Sequence, residues 1–318
     1  MGEPDFTPDD IREGLTGPNT DMSRDCWVAL DTAGAIVGWG YPGNADRGDR
    51  DFLEVYVWPG RGEPALRPLL DLLLARAAER GAAFGHDTYH VRAGAVPTEQ
   101  AWIATLTDAG FSFVKQHARM TVALDALPAA VDGDQVAGPA AVDGGTVAGP
   151  AGFVSPGGVT VRPVLPSELR RFHATIEEAF RDTDHHATDY ETWLARVHAE
   201  TSVSWDEWLV GLVDGEWAGV LQSSDSSAGD GEGWVRSLAV LRAYRRRGVG
   251  EALLRRAFAI YAAKGRSKAG LGVDMANPTR AARLYHRVGM TPLYRADIYQ
   301  RTVQISGVDV RAGRGRTS

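Results

Sequence analysis

Cysteine is all but missing from this sequence: Cys26 is the only one in 318 residues. An intramolecular disulfide and a multi-cysteine metal site are excluded, and a reducing, cytoplasmic setting is expected. Cys26 itself reads as a small apolar core residue rather than a nucleophile. Long hydrophobic runs are also missing, since none approaches the ~18 residues needed to span a bilayer. The opening stretch MGEPDFTPDD is acidic and polar, unlike a secretory signal. Positive charge is in deficit, with 34 Lys and Arg against 41 Asp and Glu. The net charge of −7 argues against a general nucleic-acid binder and against binding to an anionic membrane surface. What remains is the composition of a soluble globular protein, long enough for two domains with their own cores.

Residues 126–158 divide the chain. They are rich in Gly, Ala, Pro and Asp and contain the near-duplicate VDGDQVAGPAA and VDGGTVAGPAG. Such a segment has too little large apolar area to offset its ordering entropy, so a flexible linker is expected. The halves on either side look alike. DCWVALDTAGAIVGW, from Asp25, and DEWLVGLVDGEWAGV, from Asp206, each read as a hairpin with a Gly-containing turn. Trp27 matches Trp208, Gly34 matches Gly215 and Gly38 matches Gly219. A strand-to-helix unit follows in both halves, and LTDAGF, ending at Phe111, parallels YHRVGM, ending at Met290. Duplication is the simplest account. The second half alone opens with a long helical run, PSELRRFHATIEEAF. The first half lacks an opening strand and most of the helices.

The most informative stretch is RAYRRRGVGEALL. After the strand-like VRSLAV come Arg245, Arg246, Arg247, Gly248, Val249 and Gly250. Helical spacing then places Val249, Leu253, Ala257 and Tyr261 on one face, with Gly265 as a stop. A helix start offers unpaired N–H groups and the positive end of the dipole. Glycines admit a ligand to the backbone and arginines add charge, so the stretch predicts a phosphate cradle. The dinucleotide pattern G-x-G-x-x-G fails because Leu253 occupies the third glycine position, and no Gly-Lys-Ser/Thr follows for a P-loop.

Arg-x-x-Gly-x-Gly between a strand and a helix resembles the pyrophosphate loop of the GCN5-related N-acetyltransferase (GNAT) family. The later stretch LGVDMANPTRAARLYHRVGM resembles the family's second signature: a strand ending near Asp274, then Asn277, a helix carrying Tyr285, and Gly289-Met290. The likeness covers most of 159–304. The paired arrangement over 25–304 also resembles tandem members of the family such as mycothiol synthase. The resemblance implies an α/β protein of two tandem GNAT-like domains, each a mixed, mostly antiparallel sheet flanked by helices. The first, 1–125, is expected to be truncated and degenerate, and the second, 159–304, active. Residues 305–318 are expected to form a frayed, disordered tail.

The implied activity is transfer of acetyl from acetyl-CoA to a primary amine by direct attack in a ternary complex, without a metal. A small-molecule amine is the favoured acceptor and a peptide or protein amine the alternative. The resemblance assigns the main chain of Leu238, Ala239 and Val240 to the pantetheine arm and Arg245 through Glu251 to the pyrophosphate. It puts Asn277 beside the pantetheine or adenosine, and the Tyr285 hydroxyl near sulfur as general acid. Many family members carry a Glu two residues before the Leu of the central strand, where this sequence has Arg236. Substitute bases are Glu232, Asp225, Asp274, His185 and His186. Arg236 could instead bind an acidic group on the acceptor. Adjacent histidines point in different directions on a helix, so His185-His186 does not suggest a metal site. The tryptophans Trp193, Trp205, Trp208, Trp217 and Trp234 read mainly as core, with one or two available to an acceptor pocket.

The first half lacks this equipment. VWPGRGEPALRP has no Arg-x-x-Gly-x-Gly, Pro64 and Pro68 remove N–H donors near the helix start, and Leu106 stands where Tyr285 stands. Competing readings are a mycothiol synthase-like enzyme, a non-catalytic CoA-binding sensor or interaction module, and an unrelated nucleotide-phosphate binder.

Overall fold

The computed structural model describes residues 8–17, 19–44, 47–127, 153–154, 158–183, 185, 187–199, 203–225, 227–275 and 281–305. They fall into two compact units, one built on Asp10–Gln116 with the residues from Ala296 onward, the other on His117–Arg295. The sequence reading ends the halves at 125 and 304. The compact units instead divide inside two strands, at 116/117 and 295/296.

In the first unit, α1 (Pro8–Thr16) and α2 (Met22–Asp25) precede the strands. Strands β1 (Trp27–Leu30), β2 (Ile36–Gly43) and β3 (Arg50–Val57) form an antiparallel meander. Helix α3 (Leu66–Phe84) carries the chain to β4 (Thr88–Ala95), parallel to β3. Helix α4 (Gln100–Asp108) leads into β5 (Ser112–Ala123). The antiparallel partner of β4 on its other edge is Asp297–Gln304, the end of the chain's last strand. Leu70, Leu73 and Ala77 of α3 pack with Leu53, Tyr89 and Val91 in the core.

The second unit runs through β6 (Phe153–Val154), β7 (Val159–Pro163), α5 (Leu169–Phe180), α6 (Tyr190–Ala199), β8 (Leu209–Val213) and β9 (Glu216–Ser224). It continues with β10 (Glu232–Val240), α7 (Val249–Ala263), β11 (Lys268–Asp274), α8 (Ala281–Arg287) and the start of β12 (Thr291–Gln304). From β6 to β10 every neighbour is antiparallel, β10 and β11 are parallel, and β11 pairs antiparallel with His117–Ala123 of β5. The final strand of each sequence half therefore completes the sheet of the other unit. Halves with a similar order of elements offer a similar strand edge twice, and side-chain periodicity does not say which edge a strand takes.

The expected hairpins are β1/β2 and β8/β9. Asp214 and Gly215 both have positive φ, the Asp-Gly geometry of a two-residue hairpin turn. The face of α7 foreseen from its spacing is buried with Val235, Leu271 and Met290. On the opposite face of the sheet, Phe172 of α5 and Trp193 of α6 meet Trp208, Val210, Val220 and Ala239. Cover on both faces explains the nearly continuous burial along β8 and β9.

Some expectations need correction. Phe153–Val154, inside the expected linker, form a strand paired with β7. The rest of the linker beyond Leu127, up to Gly158, and the tail beyond Ile305 lie outside the described residues. Cys26 is half-buried beside α2 and outside the core clusters, because it ends a short helix at the surface; partial burial pushes its thiol up.

A buried ion network holds the second unit together where β8 begins and α7 ends. Glu207 is fully buried. Arg266 donates to both of its carboxylate oxygens, at 3.0 and 2.6 Å, and Lys264 adds a contact at 2.8 Å. Arg266 also reaches Asp225 at 3.1 Å. Arg266→Ala leaves the Glu207 charge buried with one cation fewer. The expected cost is about 3–5 kcal/mol in urea unfolding followed by tryptophan fluorescence. A loss below about 1 kcal/mol would show that the network adds little.

Candidate active site

Strands β10 and β11 pair only over Glu232–Val235 and Lys268–Leu271. Beyond that point they part, β10 following β9 to Val240 and β11 following β5 to Asp274. The fork opens a cleft of about 580 Å³, lined wholly by residues of the second unit.

One wall is the freed edge of β10. Leu241 donates its N–H to the Ala218 carbonyl near the start of β9. Alternation along the strand then turns the main-chain groups of Ala239 toward β9 and those of Leu238 and Val240 toward the cleft. The Leu238 and Val240 side chains also line the cleft, whereas that of Ala239 packs in the core with α5. Of these three predicted residues, Ala239 serves packing.

The floor is the loop into α7. Arg246 and Gly248 both lie in the left-handed region, with φ of 63° and 82°. Gly248 is the N-cap of α7 and supplies no side-chain cap. The first helical bond runs from Ala252 to the Gly248 carbonyl, so the N–H groups of Val249, Gly250 and Glu251 have no acceptor within the helix. A Cβ on Gly248 would meet no heavy atom within 4 Å, so the glycine is required for its φ, not for space. At Gly250 the reason is close approach: a Cβ there would lie 2.8 Å from Leu284 of α8. Main-chain amides around left-handed residues, continued by a helix start, form an anion-binding concavity.

The three arginines separate. Arg246 is exposed and lines the cleft. Arg245 lines it too, but its guanidinium donates to the carbonyls of Ala179 at 2.8 Å and Val240 at 3.2 Å, tying α5 to β10. Arg247 sits over the Tyr244 ring and beside Asp214 at 3.6 Å, and does not line the cleft. Glu251 lines it while bonded to Arg255 at 3.0 Å and Arg287 at 3.5 Å. Arg283 and Arg287 of α8 add further positive charge.

Tyr285 is buried on α8 and lines the cleft. Among the described residues its hydroxyl has no hydrogen-bond partner. Burial pushes its pKa up to about 12, so it stays protonated and able to donate. Asn277 lies outside the described residues, as does His186. Of the other substitute bases, only Asp274 lines the cleft. Glu232 is buried against Arg119 at 2.7 Å, Asp225 belongs to the Arg266 network, and His185 faces Glu177 at 3.1 Å. Arg236 lines the cleft at the fork, exposed, at the β-bulge between Val235 and Ser237. None of the tryptophans lines it. Among the described residues no group of His, Cys, Asp and Glu is arranged to hold a metal. No helix among them is long and apolar enough to cross a membrane.

The matching loop of the first unit is filled from within. The Glu63 carboxylate accepts from Gly60 N–H at 3.2 Å, and Gly62 N–H bonds the Trp58 carbonyl at 2.7 Å. Arg61 is engaged by Asp31 at 3.1 Å, and Leu106 is fully buried in the core.

The Acetyltransferase (GNAT) family profile matches residues 169–290. The matched segment, less than half of the chain, lies within the second unit and is similar to that family. The fold is similar to that of the GCN5-related N-acetyltransferase from Sphaerobacter thermophilus, at 21% identity and a TM-score of 0.72 over 97% of this chain and 89% of that one. It also resembles a glucosamine N-acetyltransferase region of a fungal multi-domain β-N-acetylglucosaminidase. There the identity is 16% and the TM-score 0.62, over 93% of this chain and 35% of that one. A tandem GNAT protein from the clavulanic acid biosynthesis pathway matches at 16% identity and a TM-score of 0.55, over 90% of this chain and 84% of that one. No curated protein matches the sequence.

The Tyr285 environment has a thermodynamic signature. The unfolded chain releases this proton near pH ~10, whereas the folded second unit holds it to about 12. Between those values the unfolded state binds fewer protons, so stability falls as pH rises. Tyr285→Phe is expected to flatten that decline, measured as urea midpoints from pH 9.5 to 11.5; an unchanged slope would place the hydroxyl in water.

Proposed function

We propose that the second unit transfers an acetyl group from acetyl-CoA to a primary amine, by direct attack while both substrates are bound. The observation that carries this reading is one cleft combining a strand edge without a neighbouring strand, a loop with amides free of helical acceptors and a protonated tyrosine. The edge of Leu238 and Val240 suits the amide-rich pantetheine arm as an added strand. A main-chain N–H there would polarise the thioester carbonyl as it gains charge. The amides of Gly248 to Glu251, with Arg246, would cradle the pyrophosphate. Arg245 acts by holding α5 and β10 in place, and Arg247 contributes only long-range charge. Asn277 keeps its proposed place beside the pantetheine or adenosine.

Asp274 is the carboxylate best placed to take the proton that an ammonium must lose before its lone pair can attack. The N–C bond forms, the nitrogen gives its second proton to solvent, the C–S bond breaks, and Tyr285 donates its proton to the departing thiolate and is reprotonated from solvent; Asp274 releases the first proton to solvent. In sum, ammonium and acetyl-CoA give amide, CoA thiol and one proton. The first unit, its loop occupied by Glu63 and its tyrosine position taken by Leu106, is the non-catalytic partner in a tandem arrangement. The filled first loop and Arg236 weigh against a mycothiol synthase role. Arg236, in place of the family's usual Glu, favours one rival, a CoA-binding protein without transferase activity.

Calorimetric titration of acetyl-CoA into the full chain is expected to show one site, lost in Gly248→Asp. A carboxylate there would put a side chain on a left-handed residue and a negative charge in the cradle. Absence of binding to the unsubstituted protein sinks the reading. Tyr285→Phe is expected to lower turnover on the order of 100-fold with acetyl-CoA affinity unchanged. Full activity in that variant would remove Tyr285 from the chemistry, and binding without turnover of any amine would favour the sensor.

A further inference from the structure

The fork places two opposite charges on its diverging strands. Arg236 stands on β10 at the first position past the shared pairing, where the bulge interrupts the register with β9. It is exposed and lines the cleft. Across the gap, Gly272 follows Leu271, the last residue of β11 paired with β10. A Cβ on Gly272 would meet no heavy atom within 4 Å, so space is open beside this strand. Asp274 lies two residues farther along β11 and also lines the cleft. Tyr285 lines the same cleft. Phe180 and Thr183, at and just past the end of α5, complete the wall. Arg236 and Asp274 each also interact with the protein itself, so a ligand's charges would exchange with those contacts.

From this arrangement, which rests on the acetyltransferase reading, we infer that the acceptor is an amine carrying its own anionic group, a carboxylate or a phosphate, and that Arg236 binds that anion. A guanidinium is permanently charged and presents a planar fork of donors matched to both groups. A charge on the opposite strand then suits the other end of such a molecule: the ammonium faces Asp274 while the anion faces Arg236. A neutral amine gives Arg236 no anion to exchange for its contact with the protein. An arginine at this position cannot act as a base, since it does not lose its proton, so its chemistry at the reacting end of the cleft is recognition. Arg236 is thus a specificity residue, acting on the acceptor and not on CoA.

The test compares initial rates of CoA release by the full-length protein with matched amines: amino acids against their amides, and amino-sugar phosphates against the free amino sugars. The anionic member of at least one pair is expected to have the higher kcat/KM, on the order of 10- to 100-fold. Whichever pair shows it identifies carboxylate or phosphate as the anion. Arg236→Gln is expected to erase that preference, chiefly through KM for the anionic acceptor, and Arg236→Lys to restore part of it. Acetyl-CoA titration into the same samples separates the outcomes. If acetyl-CoA binds and neutral amines react as well as their anionic partners, the transferase reading stands and this inference falls. A preference that survives in Arg236→Gln also overturns it. If acetyl-CoA does not bind, both fall.

Discussion

Everything proposed for this protein depends on how briefly β10 and β11 remain paired. Four residues of parallel ladder, Glu232–Val235 against Lys268–Leu271, hold the strands together, and then each follows a different neighbour. A parallel ladder left incomplete in a folded domain would ordinarily expose unsatisfied main-chain groups. Here the exposure is organised. The strands stay rigid because β9 and β5 hold their outer edges, so the inner edges remain extended and addressable. Helix α7 leaves β10 at the mouth of the fork and brings its own unpaired amides to the same opening. Strand edge and helix start are thus two kinds of backbone vacancy, brought together by one divergence.

Much of the site could be read from residue order. Arg-x-x-Gly-x-Gly before an apolar period of helical spacing is a local pattern, and local patterns survive translation into structure: Gly248 takes the left-handed N-cap and Val249, Leu253, Ala257 and Tyr261 are buried. The individual fates of Arg245, Arg246 and Arg247 were not legible. Three consecutive identical side chains diverge only because the backbone turns at Arg246, and their partners, Ala179, Val240 and Asp214, are distant in sequence. The network of Glu207 with Arg266 was hidden for the same reason. Its only sequence trace is a set of charges flanking strands, which ordinarily reads as solvated surface. Among the substitute bases, sequence could not choose Asp274, because the choice depends on where the fork opens.

The two units also show how differently the loop before the crossing helix can be built on one order of elements. Both follow a meander with a helix crossing to a parallel strand. In one, the loop before the helix has left-handed residues and open amides. In the other, Glu63 brings an internal carboxylate to Gly60 and Pro64 removes a donor altogether. The carboxylate gives the Gly60 N–H an acceptor from within the loop.

The exchange of final strands has a consequence for synthesis. The first unit to be translated is missing one strand, Asp297–Gln304, until the ribosome has passed the second unit. Until then β4 has an unfilled hydrogen-bonding edge, the kind of surface that seeks other chains. The usual order, in which an amino-terminal domain folds first and is finished with, does not hold here. The sheet of the older half is completed only by a strand of the younger.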